Sequence, residues 1–144
     1  MPSAPPEDGI IRAQSGAQSL VGYVVDVGQP DRMGRAMLDI EPRHANRNGM
    51  LHGGIIAMLL DAACGFTASM KLGDGVALTP LVTVSLTTQF VAAAQIGTRV
   101  TATGFLSGGG RKIAYVHGEL RDENDVLVAT ASGVFKKVPA ERFA

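Results

Sequence analysis

The sequence predicts an α+β fold in which one long helix covers one face of an antiparallel sheet of five to six strands. Three observations predict it. Gly54–Lys71 is rich in Ala, Met and Leu, which favour helix, and is apolar nearly all round, which marks a helix buried on most sides. After Pro80 the hydrophobic period changes from helical to two. Short glycine-rich or acidic links then separate three further strand-like runs.

The elements follow in order. Residues 1–18 read as a tail, with three prolines in the first six positions and no periodicity through Ser15-Gly16-Ala17-Gln18. Residues 19–144 read as one domain. Leu20–Val27 is rich in β-branched residues and ends at the turn cluster Gly28-Gln29-Pro30-Asp31. Gly34–Ile40 is a weaker alternating run, and Glu41–Leu51 is polar and irregular. The helix over 54–71 spans ~27 Å at 1.5 Å per residue, and Gly73-Asp74-Gly75 stops it. Val82, Val84, Leu86, Thr88 and Phe90 alternate with Thr83, Ser85, Thr87 and Gln89, as in a half-buried strand. Arg99–Leu106, Lys112–Arg121 and Val126–Lys136 complete a four-strand antiparallel meander. The links Ser107–Gly110 and Asp122–Asp125 are short enough for hairpins.

Composition bounds the function. The 144 residues carry 13 Lys+Arg against 13 Asp+Glu. Zero formal charge argues against a generally basic nucleic-acid binder and against a polybasic membrane anchor. One cysteine excludes an intrachain disulfide. The N-terminus lacks the basic start and apolar run of a signal peptide. The apolar stretch Ile55–Leu60 stops at Asp61, short of the ~20 residues of a membrane span. The expectation is a cytoplasmic protein with no nucleic-acid or membrane partner, and low colloidal repulsion suits self-association.

The informative segment is Asn46-Arg47-Asn48-Gly49-Met50-Leu51-His52-Gly53-Gly54, running into the helix that holds Asp61. Asp61 is the only charged residue between Gly53 and Met70. An isolated carboxylate there needs a partner, a hydrogen bond or a wet cleft, and its helical neighbours Ala57, Met58, Cys64 and Gly65 offer no polar stripe. It is therefore a site candidate. The first turn of a helix has free N–H groups, and glycine lets a ligand approach them. Such donors suit a carbonyl oxygen that turns negative. A lone Gly-Gly also serves as a simple tight turn; its neighbours give this pair its interest.

Asn46-x-x-Gly49-x-x-His52-Gly53-Gly54, with Asp61 nine residues after His52, resembles the hotdog-fold thioesterases of the phenylacetic-acid-degradation type. The resemblance covers roughly residues 20–138 and implies an antiparallel sheet wrapped round a long central helix. It implies an acyl-CoA or aryl-CoA thioesterase that releases free acid and coenzyme A. Asp61 would be general base or nucleophile, the Gly53 N–H the oxyanion donor, and Asn46 an orienting group for carbonyl or water. His52 would brace the loop by hydrogen bonds, and Thr83 would orient the water. Gly54 and Met58 would line the substrate site. Arg111 and Lys112, after Gly108-Gly109-Gly110, are candidates for coenzyme A phosphate contacts, although the glycines also read as a plain hairpin turn. No cofactor or metal is implied beyond coenzyme A as part of the substrate.

The resemblance also implies a homodimer, with Asp61 and Thr83 from one chain meeting Asn46 and Gly53 from the other, and pairing of dimers into a tetramer. Separation along one helix agrees with it, since Asp61 lies more than two turns beyond His52. Rival readings are a non-catalytic acyl-CoA-binding or regulatory protein and an enoyl-thioester hydratase, which would want a His after the helix start. Cys64 has no basic neighbour in sequence and reads as a small core residue. No Gly-x-Ser-x-Gly elbow is present, and His44, His52 and His117 do not follow a usual zinc spacing.

Overall fold

The computed structural model describes residues 4–75, 77–139 and 141. Seven antiparallel strands form one sheet: β1 (Ile10–Ile11), β2 (Val24–Asp26), β3 (Arg35–Asp39), β4 (Leu81–Phe90), β5 (Arg99–Gly109), β6 (Ile113–Asp122) and β7 (Leu127–Lys137). A short helix α1 (Gly16–Val21), the long helix α2 (Gly53–Leu72) and a 3-10 turn at Pro42–His44 join them. The spatial order of strands is β1-β2-β3-β5-β6-β7-β4. Helix α2 packs against β3, β4, β5, β6 and β7, so the sheet wraps it as a hotdog bun wraps its filling.

Small residues allow the close approach. A Cβ on Gly104 would lie 2.5 Å from Thr67 Oγ1, and one on Gly118 would lie 2.7 Å from Cys64 Sγ. Thr67 uses the contact: its hydroxyl accepts from Gly34 N (2.8 Å) and faces the carbonyls of Ala63 (2.9 Å) and Gly104 (3.1 Å). Around it Leu59, Leu60, Ala63, Val100, Leu120 and Phe135 are wholly buried. Each of the larger of these side chains contributes about 1.5–3 kcal/mol on burial. By length and composition α2 passes as a membrane span, yet here it is the core helix.

Several expectations need correction. The sheet has seven strands rather than five or six. β4 pairs with β7 at the sheet edge, and β5 pairs with β3, so the four-strand meander shrinks to β5-β6-β7. Residues 91–98 do not turn tightly but cross over. The expected tail instead contains β1 and the start of α1, and Leu20–Val21 is helical rather than extended; residues 1–3 of that tail lie outside the described residues. Ser15 caps α1 by accepting from Gln18 N at 3.1 Å, and Gly22 ends it in the left-handed region at φ 88°. His44, buried, ties α1 to the loop before α2. Its Nε2 meets Val21 O at 2.7 Å, and its Nδ1 accepts from Glu41 N.

Period two also fails within β4. A bulge between Thr83 and Ser85 lets Thr83 face Phe135 and Leu86 face Gly133. Opposed residues point to the same side of an antiparallel pair, so the extra residue, Val84, turns Thr83 to the helix side together with Leu86. β4 is also more exposed than a half-buried strand, because its outer edge has no neighbouring strand among the described residues.

Candidate active site

Asp61 sits half-buried midway along α2, where the bulge of β4 passes over it. The Thr83 hydroxyl donates to Asp61 Oδ1 at 2.7 Å. Asp61 Oδ2 has no hydrogen-bond partner among the described residues. Both residues line a cavity of about 760 Å³, with Met58, Phe66 and Leu81 among its apolar walls. Tyr23 lines the same cavity, and burial together with the nearby Asp61 charge raises its pKa, so the phenol stays protonated. Sequence reading did not single out Tyr23; nothing in strand periodicity points a tyrosine at a helix 38 positions away.

The second half of the motif lies elsewhere. Asn46 Oδ1 accepts from Asn48 N (2.9 Å) and Met50 N (3.1 Å), and Gly49 takes the left-handed φ of 76° that closes this turn. The Asn46 carbonyl end is thus committed to the loop and its NH₂ group is left to donate outward. His52 caps α2: its Nδ1 accepts from Gly54 N at 2.8 Å. That leaves Gly54 no free N–H for a ligand, while the Gly53 N–H has no acceptor among the described residues. Asn46 and His52 line a separate cleft with Arg47, whose side chain has no ion pair among the described residues. Gly53 rests against the ring of Phe90, at the far end of β4 from Thr83.

One chain therefore brings Asp61, Thr83 and Met58 together, and Asn46, His52 and Gly53 together, but not the two groups. Asp61 lies eight residues beyond Gly53 along α2, a rise of ~12 Å. Arg111 and Lys112 are exposed on the β5–β6 turn, beside the C-terminal end of α2, and line neither cavity. Cys64 is fully buried, and desolvation with the Asp61 charge pushes its thiol up to about 12, which leaves it a packing residue.

The family model described as "Thioesterase superfamily" matches residues 48–129. The chain belongs to the thioesterase superfamily. This match spans the helix with Asp61, strands β4, β5 and β6, and the start of β7. A Pseudomonas aeruginosa protein named "Putative esterase PA0474" is 31% identical over 98 residues, covering 68% of this chain and 70% of the relative. Among solved structures, Escherichia coli PaaI, from the phenylacetic acid degradation operon, superposes with a TM-score of 0.75 at 18% identity, over 88% of this chain and 86% of that one. BH2602 of Bacillus halodurans, solved with CoA, is 28% identical with a TM-score of 0.72, over 86% of this chain and 76% of that one. This superfamily member thus has the hotdog fold of the PaaI-like thioesterases.

Proposed function

We propose that the protein is an acyl-CoA thioesterase that works as a homodimer joined along β4. One observation carries this reading: Thr83, bonded to Asp61, stands at one end of the unpaired edge strand, and Phe90, against Gly53, stands at the other. Antiparallel pairing of β4 with its copy, about a two-fold axis near Leu86 and Thr87, sets Thr83 opposite the partner's Phe90. The Asp61 carboxylate then faces the partner's Gly53 N–H, and a second equivalent site forms by symmetry. The exposed apolar side chains of Val84 (58%) and Phe90 (59%) on that edge gain cover by the same pairing.

Asp61 Oδ2 takes a proton from water as the water oxygen attacks the thioester carbonyl carbon. Negative charge gathers on the carbonyl oxygen, held by the partner's Gly53 N–H and the positive end of α2, with the partner's Asn46 NH₂ beside it. The Thr83 hydroxyl keeps the carboxylate aimed and its lone pairs hold the water. Collapse of the intermediate expels the coenzyme A thiolate, a good leaving group that needs no strong acid. The CoA bound in BH2602 supports coenzyme A as the carrier. The exposed Arg47, Arg111 and Lys112 supply positive charge for its phosphates.

Complementation tests the reading. Asp61→Asn removes the base. Gly53→Pro removes the donor N–H alone, because proline is favoured at the first helical position and His52 already has the extended backbone (φ −63°, ψ 134°) that proline demands of its predecessor. Each variant alone should release thiol from acyl-CoAs about 10²-fold or more slowly. Mixed after unfolding and refolding, they should recover about a quarter of wild-type activity, since half of random dimers hold one intact site of two. No recovery from two folded variants excludes the shared site. Acyl-CoA binding by the wild type with no thiol release favours a binding protein instead, and hydration of crotonyl-CoA favours a hydratase.

A further inference from the structure

One wall of the Asp61 cavity comes from the N-terminal segment: Ile11, Gln14, Ser15, Ala17 and Gln18 line it. One buried side chain ties this wall together. Gln18 is only 4% exposed, and its amide makes three bonds to the backbone. Its NH₂ donates to Ile11 O at 2.8 Å and to Tyr23 O at 3.1 Å, and its carbonyl accepts from Gln14 N at 3.1 Å. Buried amides are kept where their bonds replace those lost to water. Two serine hydroxyls of the lining are also bonded locally. Ser15 Oγ accepts from Gln18 N, and Ser69 Oγ is bonded to both N and O of Thr79, each at 2.8 Å. The wall therefore offers an entering group packing and a fixed boundary, with few hydrogen bonds.

We propose that Gln18 is a specificity-determining positioning residue: by clamping residues 11–18 over the cavity it fixes where the acyl chain must end. The proposal rests on the thioesterase reading for the identity of the ligand. The clamp is local. Upstream of it Ile11 is held by the pairing of β1 with β2, and downstream Val21 is held by His44 and Leu20 O by Arg43 Nη1, so loss of the Gln18 amide loosens only the stretch 12–17 between two anchored ends.

The test compares wild type, Gln18→Leu and Ala17→Trp on straight-chain acyl-CoAs from acetyl to dodecanoyl, with kcat and KM separated. Gln18→Leu should keep kcat on acetyl-CoA within about twofold, because the Asp61–Thr83 pair is untouched, and raise KM for the best-accepted chain about tenfold. Its cut-off at long chains should relax. Ala17→Trp narrows the cavity from the same wall without touching the clamp and should move the cut-off to shorter chains. Equal losses at every chain length, or no change in either variant, overturn the proposal. Calorimetric binding of the corresponding free carboxylic acids needs no turnover. Should no acyl-CoA be hydrolysed, the thioesterase reading fails, and the same length dependence in acid binding still decides the role of Gln18.

Discussion

The Thr83 hydroxyl and the Asp61 carboxylate meet at 2.7 Å, joining the edge strand to the middle of the core helix. The bond exists because a single extra residue in β4 turns Thr83 inward. It holds one carboxylate oxygen and leaves the other to the cavity.

Removing the hydroxyl while keeping the shape tests what that bond does. Thr83→Val should lower kcat about tenfold with little change in KM, the loss of one charge-assisted hydrogen bond. Thr83→Ser should restore most of it. Urea unfolding should move by no more than about 1 kcal/mol, since Thr83 is exposed in the single chain.

Edge pairing predicts sensitivity at the proposed two-fold axis. Thr87 is exposed near the middle of β4. Thr87→Lys places like charges close together across the axis, the device that natural edge strands use against pairing. Light scattering should show wild type as an even number of chains and the variant as monomers at micromolar concentration. Far-ultraviolet circular dichroism should be unchanged, and thiol release should fall with dilution.

Cys64 gives a pH dependence. Burial and Asp61 raise its thiol from 9.0 to about 12, so the folded chain holds this proton to higher pH than the unfolded chain. Its contribution is complete below about pH 9 and is lost as pH rises toward about 12. Between pH 8 and 10.5 the wild type should lose up to about 2 kcal/mol more than Cys64→Ala, measured by urea unfolding at each pH. Raised likewise, Tyr23 acts in the same direction in both proteins and cancels from the difference. At pH 8 a disulfide reagent should modify Cys64 only after unfolding.

The sheet–helix contact at Gly104 should tolerate no side chain. Gly104→Ala forces a Cβ against Thr67 Oγ1 and the Ala63 carbonyl, both on α2. Overpacking of this kind costs about 2–3 kcal/mol, and thermal denaturation should drop by roughly 5–10 °C. Thr67→Val should cost about 1–3 kcal/mol by stranding Gly34 N–H.

Local chemistry wrote much of this protein into its sequence. The span of α2 is legible to one residue at each end, because a run rich in Ala, Met and Leu lies between the Gly-Gly pair and the glycine stop. Asp61 is legible as the one charged residue between Gly53 and Met70, and β5, β6 and β7 follow from period two and short links. α1 left a trace that was passed over: Ser15 with Gln18 three residues on has the pattern of a capping box, weakened by the glycine between them. The tertiary structure alone decided the rest. Strand order depends on which edges meet around α2, a matter of long-range packing that no local period encodes. The bulge that aims Thr83 breaks the very period by which strands are read. Whether Gly53 or Gly54 keeps a free N–H depended on the rotamer of His52, and the separation of Gly53 from Asp61 on the rigid rise of a helix, which one chain cannot fold back upon itself.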